Sequence, residues 1–225
     1  MYSTESLSKY SNLINQAIDF FKDNTPEHVV LSRGNVKIGR VLNVSTAALK
    51  TCGNCSGCCF YCYDIKASLQ YQNVLNARAK NTVLAITNRD KFFSDIDQAM
   101  TRRRTNKYFR FHVAGDIIDN DYFKRMIETA KNHPDFIIWT YTKQYKIVND
   151  YCNKYDKQSI PENLHIMFSE WRGMQLVNPY NFPEFRVVFK GETPPEGFYC
   201  PGNCDVCKQL NRGCLAGETT YCHEH

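Results

Sequence analysis

The sequence predicts an α/β fold: a partial (β/α) barrel of about six mostly parallel strands, followed by a cysteine-rich, metal-binding tail. Short apolar segments alternate along the chain with longer segments of helical periodicity. Strands that alternate with helices form right-handed βαβ units, and these units assemble into a parallel sheet. A Pro- and Gly-rich stretch at 191–197 then leads to a region with few apolar residues. We therefore expect a barrel unit at 1–190, including an N-terminal helix and a cysteine loop at 52–62, and a tail at 191–225 that needs a metal to be ordered.

Each element is predicted from the spacing of its apolar residues. The N-terminal helix, for example, has Leu13, Ala17 and Phe21 at helical spacing. In the second predicted strand, Arg110 and His112 alternate with phenylalanines, so both are expected on one face of the sheet. The predicted elements in chain order are helix 10–22, strand 41–44, helices 65–79 and 90–103, strand 108–113, helix 121–132, strand 136–142, helix 144–154, and strands 164–168 and 185–189.

Composition and charge narrow the class of protein. The chain has 225 residues, of which 43% are hydrophobic, and this is enough for a globular core. Its start and its longest apolar runs predict neither a targeting segment nor a membrane span. Eleven cysteines fall into two clusters plus Cys152, which favours a reducing, cytoplasmic location over a disulfide framework. Arg102, Arg103, Arg104 and Lys107 form a basic patch, read either as a solvated helix end or as a weak nucleic-acid contact.

Five cysteines in the loop at 52–62 are too closely spaced to pair with one another without strain, so they indicate a metal or iron–sulfur site. Cys55, Cys59 and Cys62 have the spacing CxxxCxxC, and three thiolate ligands leave one iron of a 4Fe-4S cluster open. Cys52, Cys55, Cys58 and Cys62 instead have a ferredoxin-like spacing, CxxCxxCxxxC, in which a fourth ligand closes the cluster. Two CxxC pairs, 52/55 and 59/62, also suit structural zinc. The position of the loop between a strand and a helix favours the open cluster.

The second cysteine cluster lies in the tail. Cys200, Cys204, Cys207 and Cys214 are four thiols, the number that closes either an auxiliary 4Fe-4S cluster or a zinc site. The sequence is therefore compatible with either zinc or an iron–sulfur cluster in the tail. The cysteine and two histidines at the end of the chain are possible substitutes for one ligand: Cys222, His223 and His225.

Polar residues follow three of the predicted strands at their carboxyl ends, where α/β proteins bind ligands. Gly115 and Asp116 follow the second strand, Lys143 follows the third, and Ser169 follows the fourth. A plain strand-to-helix turn in which Asp116 caps the next helix is the alternative for the first pair. A solvated lysine and a turn serine are the alternatives for the other two residues.

The loop residues 55–62, CSGCCFYC, resemble the signature of radical S-adenosylmethionine (SAM) enzymes, with Tyr61 as the aromatic residue before the third cysteine. The order of motifs over 29–225 resembles the phage gene product 88 family and, less closely, phage proteins of the gene product 37 and 68 type. The motifs are Gly-Asn-Val-Lys at 34–37, Cys-Tyr at 62–63, Gly-Asp at 115–116, Tyr-Thr-Lys at 141–143, Ser-Glu at 169–170, and a cysteine-rich end with a final histidine at 200–225.

The resemblance implies a phage-encoded enzyme of the host cytoplasm. In radical SAM enzymes the open iron binds the amino and carboxylate groups of SAM. One electron, from a reductant such as a flavodoxin or ferredoxin, then cleaves the sulfonium to a 5′-deoxyadenosyl radical that abstracts hydrogen from a substrate. The resemblance implies that residues from the loop and the strand ends bind SAM: Tyr61, Gly115, Asp116, Lys143 and Ser169.

Two alternatives concern the ligands and the function. The phage families place the first cysteine about six residues before the next, which makes Cys52 a ligand in place of Cys55, and Cys58 is an alternative to Cys59. Cys62 is kept in every register. The function alternatives are a metal-stabilised accessory factor that binds nucleic acid or protein, and an electron carrier with two closed clusters.

Overall fold

One open sheet of parallel strands forms the centre of the protein, which confirms the predicted α/β class. The computed structural model describes residues 1–53 and 57–224. In this part of the chain the sheet has seven strands, and every pair of neighbours is parallel. In spatial order the strands are β1 (Leu42–Asn43), β2 (Tyr108–Arg110), β3 (Ile137–Thr142), β4 (Leu164–Glu170), β5 (Glu184–Val188), β7 (Thr220–His223) and β6 (Phe198–Tyr199).

The helices lie where the periodicity predicts them, with two exceptions, one of which is a short helix in the tail (Cys204–Leu210) that was not predicted. The helix expected at 65–79 is two helices, because Tyr71 has an extended backbone and ends the first of them. Neither proline nor glycine marks this break, so the spacing of apolar residues does not reveal it. The helices are α1 (Thr4–Asp23), α2 (Tyr63–Gln70), α3 (Gln72–Thr87), α4 (Arg89–Thr101), α5 (Asn120–Asn132), α6 (Tyr145–Tyr155) and α7 (Cys204–Leu210).

The two faces of the sheet have different coverings, and strand alternation decides which residue meets which covering. On β3, Ile138 belongs to the large core that includes side chains of α3, α4, α5 and α6. Trp139, next to it, belongs to a second core on the other face together with Met167 of β4 and Cys207 and Cys214 of the tail. We call the face that carries Trp139 the tail face of the sheet.

The prediction that Arg110 and His112 share one face is wrong. Strand β2 ends at Arg110, and His112 has a left-handed backbone with φ of 53°, which breaks the alternation. Its buried imidazole lies 3.1 Å from the hydroxyl groups of Thr140 and Tyr122. Burial, together with the nearby Arg110 charge, lowers the pKa of His112 to about 3, so the ring is neutral at pH 7.

The cysteine-rich tail supplies strands to the sheet and also covers its tail face. Strand β7 pairs with β5, with Phe185 opposite Thr220, and β6 pairs with β7 at the sheet edge. The tail also contacts the segment before β1, because the backbone N–H of Cys204 donates to the Lys37 carbonyl at 2.9 Å. The tail at 191–225 thus supplies two strands that composition alone did not predict, since each is short.

None of the helices in the described part of the chain is both long and apolar enough to cross a membrane.

Asn81 of α3 links the chain before β1 to the start of the cysteine loop. Its side chain accepts from the Val30 N–H at 2.8 Å and donates to the carbonyls of Val30 and Ser45, each at 2.9 Å. Asn81→Ala leaves these backbone groups without their partner, so we expect the free energy of unfolding to fall by about 1–3 kcal/mol. Urea unfolding measures the change. The exposed Asn73→Ala, on the same helix, should change it by less than about 0.5 kcal/mol, and equal losses in both variants would contradict this role of Asn81.

Candidate functional site

The cysteine loop follows β1 and packs under the first three helices. Cys52, Cys59 and Cys62 contact one hydrophobic cluster, whose buried members come from α1, α2, α3 and the segment just before the loop, among them Tyr10 and Ile65. Cys55 lies outside the described residues. Three cysteines of the loop thus share one environment.

Cys62 sits at the amino end of α2, where backbone N–H groups point towards its sulfur. Burial raises the pKa of the Cys62 thiol, while hydrogen bonds from the backbone of Ile65 and Asp64 act in the opposite direction. Burial, reinforced by the negative charge of Asp116, raises the pKa of the Cys52 thiol to about 12. Both thiols are therefore protonated at pH 7 without a metal, and a bound metal would be the group that deprotonates them.

The carboxylate of Asp116 is buried at the strand ends and is surrounded by donors. It accepts from the Thr142 hydroxyl at 2.6 Å, from the Lys143 backbone N–H at 2.8 Å and from the Ile117 N–H at 2.7 Å. Burial raises the pKa of Asp116, and these hydrogen bonds oppose the rise. Asp119, rather than Asp116, caps α5, since its side chain accepts from the Tyr122 N–H. The turn in which Asp116 caps the next helix is thus not the observed arrangement.

Gly115 allows the β2 end to approach the cysteine loop. Its φ is +82°, and a Cβ at this position would lie 2.6 Å from the Thr51 hydroxyl oxygen and closer still to that of Thr46. These two hydroxyls are 2.9 Å apart, and the Asp116 N–H donates to that of Thr51 at 3.3 Å. Thr51 immediately precedes Cys52, so the glycine brings the second strand end against the first cysteine.

Lys143 and Ser169 extend the same site across β3 and β4. The Lys143 ammonium donates to the Ser169 hydroxyl at 2.9 Å, and its charge acts on both Cys52 and Cys62, lowering the pKa of each thiol against the effect of burial. Tyr61, at the far end of the loop, packs its ring on Trp171 just beyond β4, with the centroids 5.4 Å apart. The residues predicted from the loop and from three strand ends therefore meet at one edge of the sheet.

Sequence reasoning missed several residues of this site. Thr46, Thr51 and Thr142 form its internal hydrogen bonds, and Trp171 packs against Tyr61. Thr142 stands inside the Tyr-Thr-Lys motif, which could have indicated it. The other three carry no sequence signal, because a threonine or tryptophan in a loop is common and its partner depends on the fold.

The tail cysteines also lie near one another. Burial and the charges of Cys200, Cys204 and Cys214 raise the pKa of the Cys207 thiol to about 12, and Cys200 and Cys214 act in the same way, after burial, on Cys222, whose pKa is about 11. No disulfide joins cysteines in the described part of the chain. Cys222, which the sequence suggested only as a substitute ligand, thus belongs to the group.

A metal in either cysteine group stays a prediction. Within residues 1–53 and 57–224, no three His, Cys, Asp or Glu side chains are gathered as the ligands of one metal ion. The donor chemistry nevertheless suits a thiolate-ligated centre in both places. On the tail face of the sheet, the buried side-chain nitrogens Arg110 Nε and Trp139 Nε1 also have no hydrogen-bond partner among the described residues, which is the environment that an anionic centre would satisfy.

The basic patch lies away from these groups. Arg102, Arg103 and Arg104 come between the end of α4 and the start of β2, so they are at the amino edge of the sheet, whereas the cysteine loop follows the carboxyl end of β1. Lys107 pairs with Asp135 at 3.0 Å. A nucleic-acid contact at this patch stays a prediction, and it would be distant from the cysteine loop.

Gly115→Ala tests the close approach at the strand ends. A Cβ there meets two hydroxyl groups and forces a left-handed alanine, so we expect a loss of about 2–4 kcal/mol in the free energy of unfolding. Gly173→Ala is the matched control, because its φ is +79° but no atom lies within 4 Å of the added Cβ. The control should lose about 1 kcal/mol, for the backbone alone. Similar losses in the two variants, measured by urea unfolding, would show that Gly115 is not closely packed.

Comparison with known proteins identifies the family. The family model for gene product 88 matches residues 20–206, more than half of the chain. The match includes the cysteine loop, the three strand ends and Cys200 and Cys204, while the later tail cysteines and most of α1 lie outside it. No curated protein and no solved structure matches the chain. The chain therefore belongs to the phage gene product 88 family, as the order of its motifs predicts.

Proposed function

We propose that this protein is a radical SAM-type iron–sulfur enzyme, in which the cysteine loop holds a 4Fe-4S cluster and the neighbouring strand ends bind SAM. One observation carries the proposal: the cysteine loop and the ends of β2, β3 and β4 form a single site. A purely structural metal loop does not require a cation, a carboxylate and a hydroxyl group at adjacent strand ends.

The cluster ligands follow from the shared environment of the loop cysteines. We assign Cys52, Cys59 and Cys62 as ligands, because these three pack on one hydrophobic cluster. Three thiolates leave one iron of a 4Fe-4S cluster without a protein ligand. Cys55 stays the alternative to Cys52, since it lies outside the described residues. When bound, such a cluster with its open iron supplies the electron for reductive cleavage of SAM.

The side chains at the strand ends provide complementary contacts for the amino-acid part of SAM. Lys143 offers a positive charge for the carboxylate, and Ser169, 2.9 Å from that ammonium, holds it in place. A carboxylate has about four acceptor positions, and Asp116 uses three for internal hydrogen bonds, so one is left for the SAM ammonium. Asp116 therefore also positions Lys143 through the backbone. Gly115 and Tyr61 shape the site by close packing.

The tail forms the second part of the proposal. The tail holds five cysteines, and burial raises the pKa values of the Cys204, Cys207, Cys214 and Cys222 thiols, so a metal is needed to bind these four as thiolates. We propose a second thiolate-ligated centre in the tail, held by four of these five: Cys200, Cys204, Cys207, Cys214 and Cys222. Zinc and a second 4Fe-4S cluster share this ligand chemistry.

The test is SAM cleavage by anaerobically purified protein. With dithionite as electron donor, we expect 5′-deoxyadenosine to form even without the true substrate. Lys143→Met should weaken SAM binding by about ten- to a hundredfold, because it removes a charge-assisted contact. Lys146→Met is the matched control, since this lysine is 86% exposed and pairs only with Asp150 one turn away, and it should bind SAM as the wild type does.

The outcomes separate the candidate functions. Iron and sulfide in the loop without SAM binding or cleavage would favour an electron carrier, and zinc in place of iron would favour a structural accessory factor. Equal SAM affinity in Lys143→Met and Lys146→Met would show that Lys143 does not bind SAM. Whether the protein is an enzyme would then be decided by the SAM cleavage assay alone.

A further inference from the structure

The tail face of the sheet presents buried donors with too few acceptors. Arg110 of β2 and Trp139 of β3 are paired across the two strands, so their side chains point the same way. Arg110 Nε and Trp139 Nε1 are both fully buried, and neither has a hydrogen-bond partner among the described residues. Two other polar side chains of this face do have acceptors. The Tyr141 hydroxyl donates to Cys214 Sγ at 2.9 Å, and a ring nitrogen of His165, which is paired with Trp139, lies 3.3 Å from the Cys214 carbonyl oxygen.

Arg110 also has no anionic partner in the described part of the chain. Its guanidinium stacks on the Tyr141 ring, 4.5 Å from the centroid, but no carboxylate among the described residues forms an ion pair with it. Arg186 of β5, which lies on the opposite face of the sheet, by contrast pairs with Glu170 at 3.5 Å. Arg110 as a whole is partly exposed, but its Nε is buried, and a buried N–H without an acceptor is costly, so this arrangement calls for an anionic acceptor nearby.

The tail cysteines are the groups that Arg110 faces. Tyr141, on whose ring the Arg110 guanidinium stacks, donates its hydroxyl to Cys214 Sγ at 2.9 Å. Trp139, opposite Arg110 on the next strand, packs with Cys207 and Cys214. Neutral thiols are weak acceptors and provide no counter-charge. Four thiolates around a divalent centre carry a net charge of about −2, and their sulfurs accept N–H hydrogen bonds.

We infer that Arg110, Trp139 and Tyr141 form the wall of an anionic metal–thiolate centre in the tail, and that Arg110 is its counter-charge. The inference rests on the tail centre of the proposed function and is independent of SAM chemistry. Arg110 acts on the metal through the thiolates, so it is a positioning residue. Its two effects have opposite signs: it stabilises the metal-bound tail, and it destabilises the metal-free tail, where its charge is uncompensated.

Metal release measures the first effect. The parent protein is the full chain with Cys59→Ala and Cys62→Ala, two substitutions that remove the loop cluster. One sample of it is loaded with Zn²⁺, and a second sample is reconstituted with iron and sulfide. With whichever metal forms a stable centre, Arg110→Met in this parent should lose metal to excess chelator at least about tenfold faster than the parent itself. Arg110→Lys keeps the charge and should stay within about threefold. Arg186→Met, the strand arginine with its own carboxylate, should match the parent.

Thermal unfolding after chelation measures the second effect. Without metal, Arg110→Met should melt no lower than the metal-free parent, because an uncompensated charge has been removed. Faster metal release together with an unchanged or higher melting temperature supports the inference. The inference is overturned if Arg110→Met releases metal at the parental rate, or if it melts at a lower temperature than the parent without metal. It is also overturned if Arg110→Met does not fold, or if the parent binds neither zinc nor iron and sulfide. SAM cleavage by the unmodified loop is measured separately, so its failure does not affect this result.

Discussion

The buried carboxylate of Asp116 is the contact on which the geometry of the site depends. It joins the end of β2 to the end of β3 through Thr142 and Lys143, while its own N–H reaches Thr51 beside the first loop cysteine. A carboxylate withdrawn from water is stable only while donors surround it, so these hydrogen bonds hold the strand ends at one spacing. The distance between Lys143 and the cysteine loop follows from that spacing. Gly115 makes the approach possible because it has no Cβ.

Each of the two cysteine groups has a positively charged side chain beside it. The loop group faces Lys143, and the tail group faces Arg110, so a cation stands beside each set of thiols. Burial alone would keep the thiols protonated, and the cations partly counter this effect. The cations lie on neighbouring strands, one at the carboxyl edge of the sheet and one on its tail face. The fold therefore places a cation beside each of the two cysteine groups in which we propose a metal–thiolate centre.

The sequence was sufficient to predict the strand-end residues but not how they interact. Asp116, Lys143 and Ser169 were predicted because parallel strands end at one edge, and this rule needs no knowledge of side-chain contacts. The partners of Asp116 could not be predicted, since a threonine bonds whatever the fold places beside it. His112 was misplaced because its left-handed backbone is not encoded by any local pattern. The helix break at Tyr71 and the two tail strands were missed because their signals are short or absent.

The central claim is that the cysteine loop holds a 4Fe-4S cluster with one open iron, and Mössbauer spectroscopy tests this claim most directly. The protein would be prepared anaerobically with ⁵⁷Fe, and spectra would be recorded before and after SAM is added. If three cysteines of the loop hold a 4Fe-4S cluster, one iron of that cluster should change its signal when SAM binds, while the other three stay the same. A spectrum in which every iron has four sulfur ligands and does not respond to SAM, or a protein without iron in the loop, would contradict the claim.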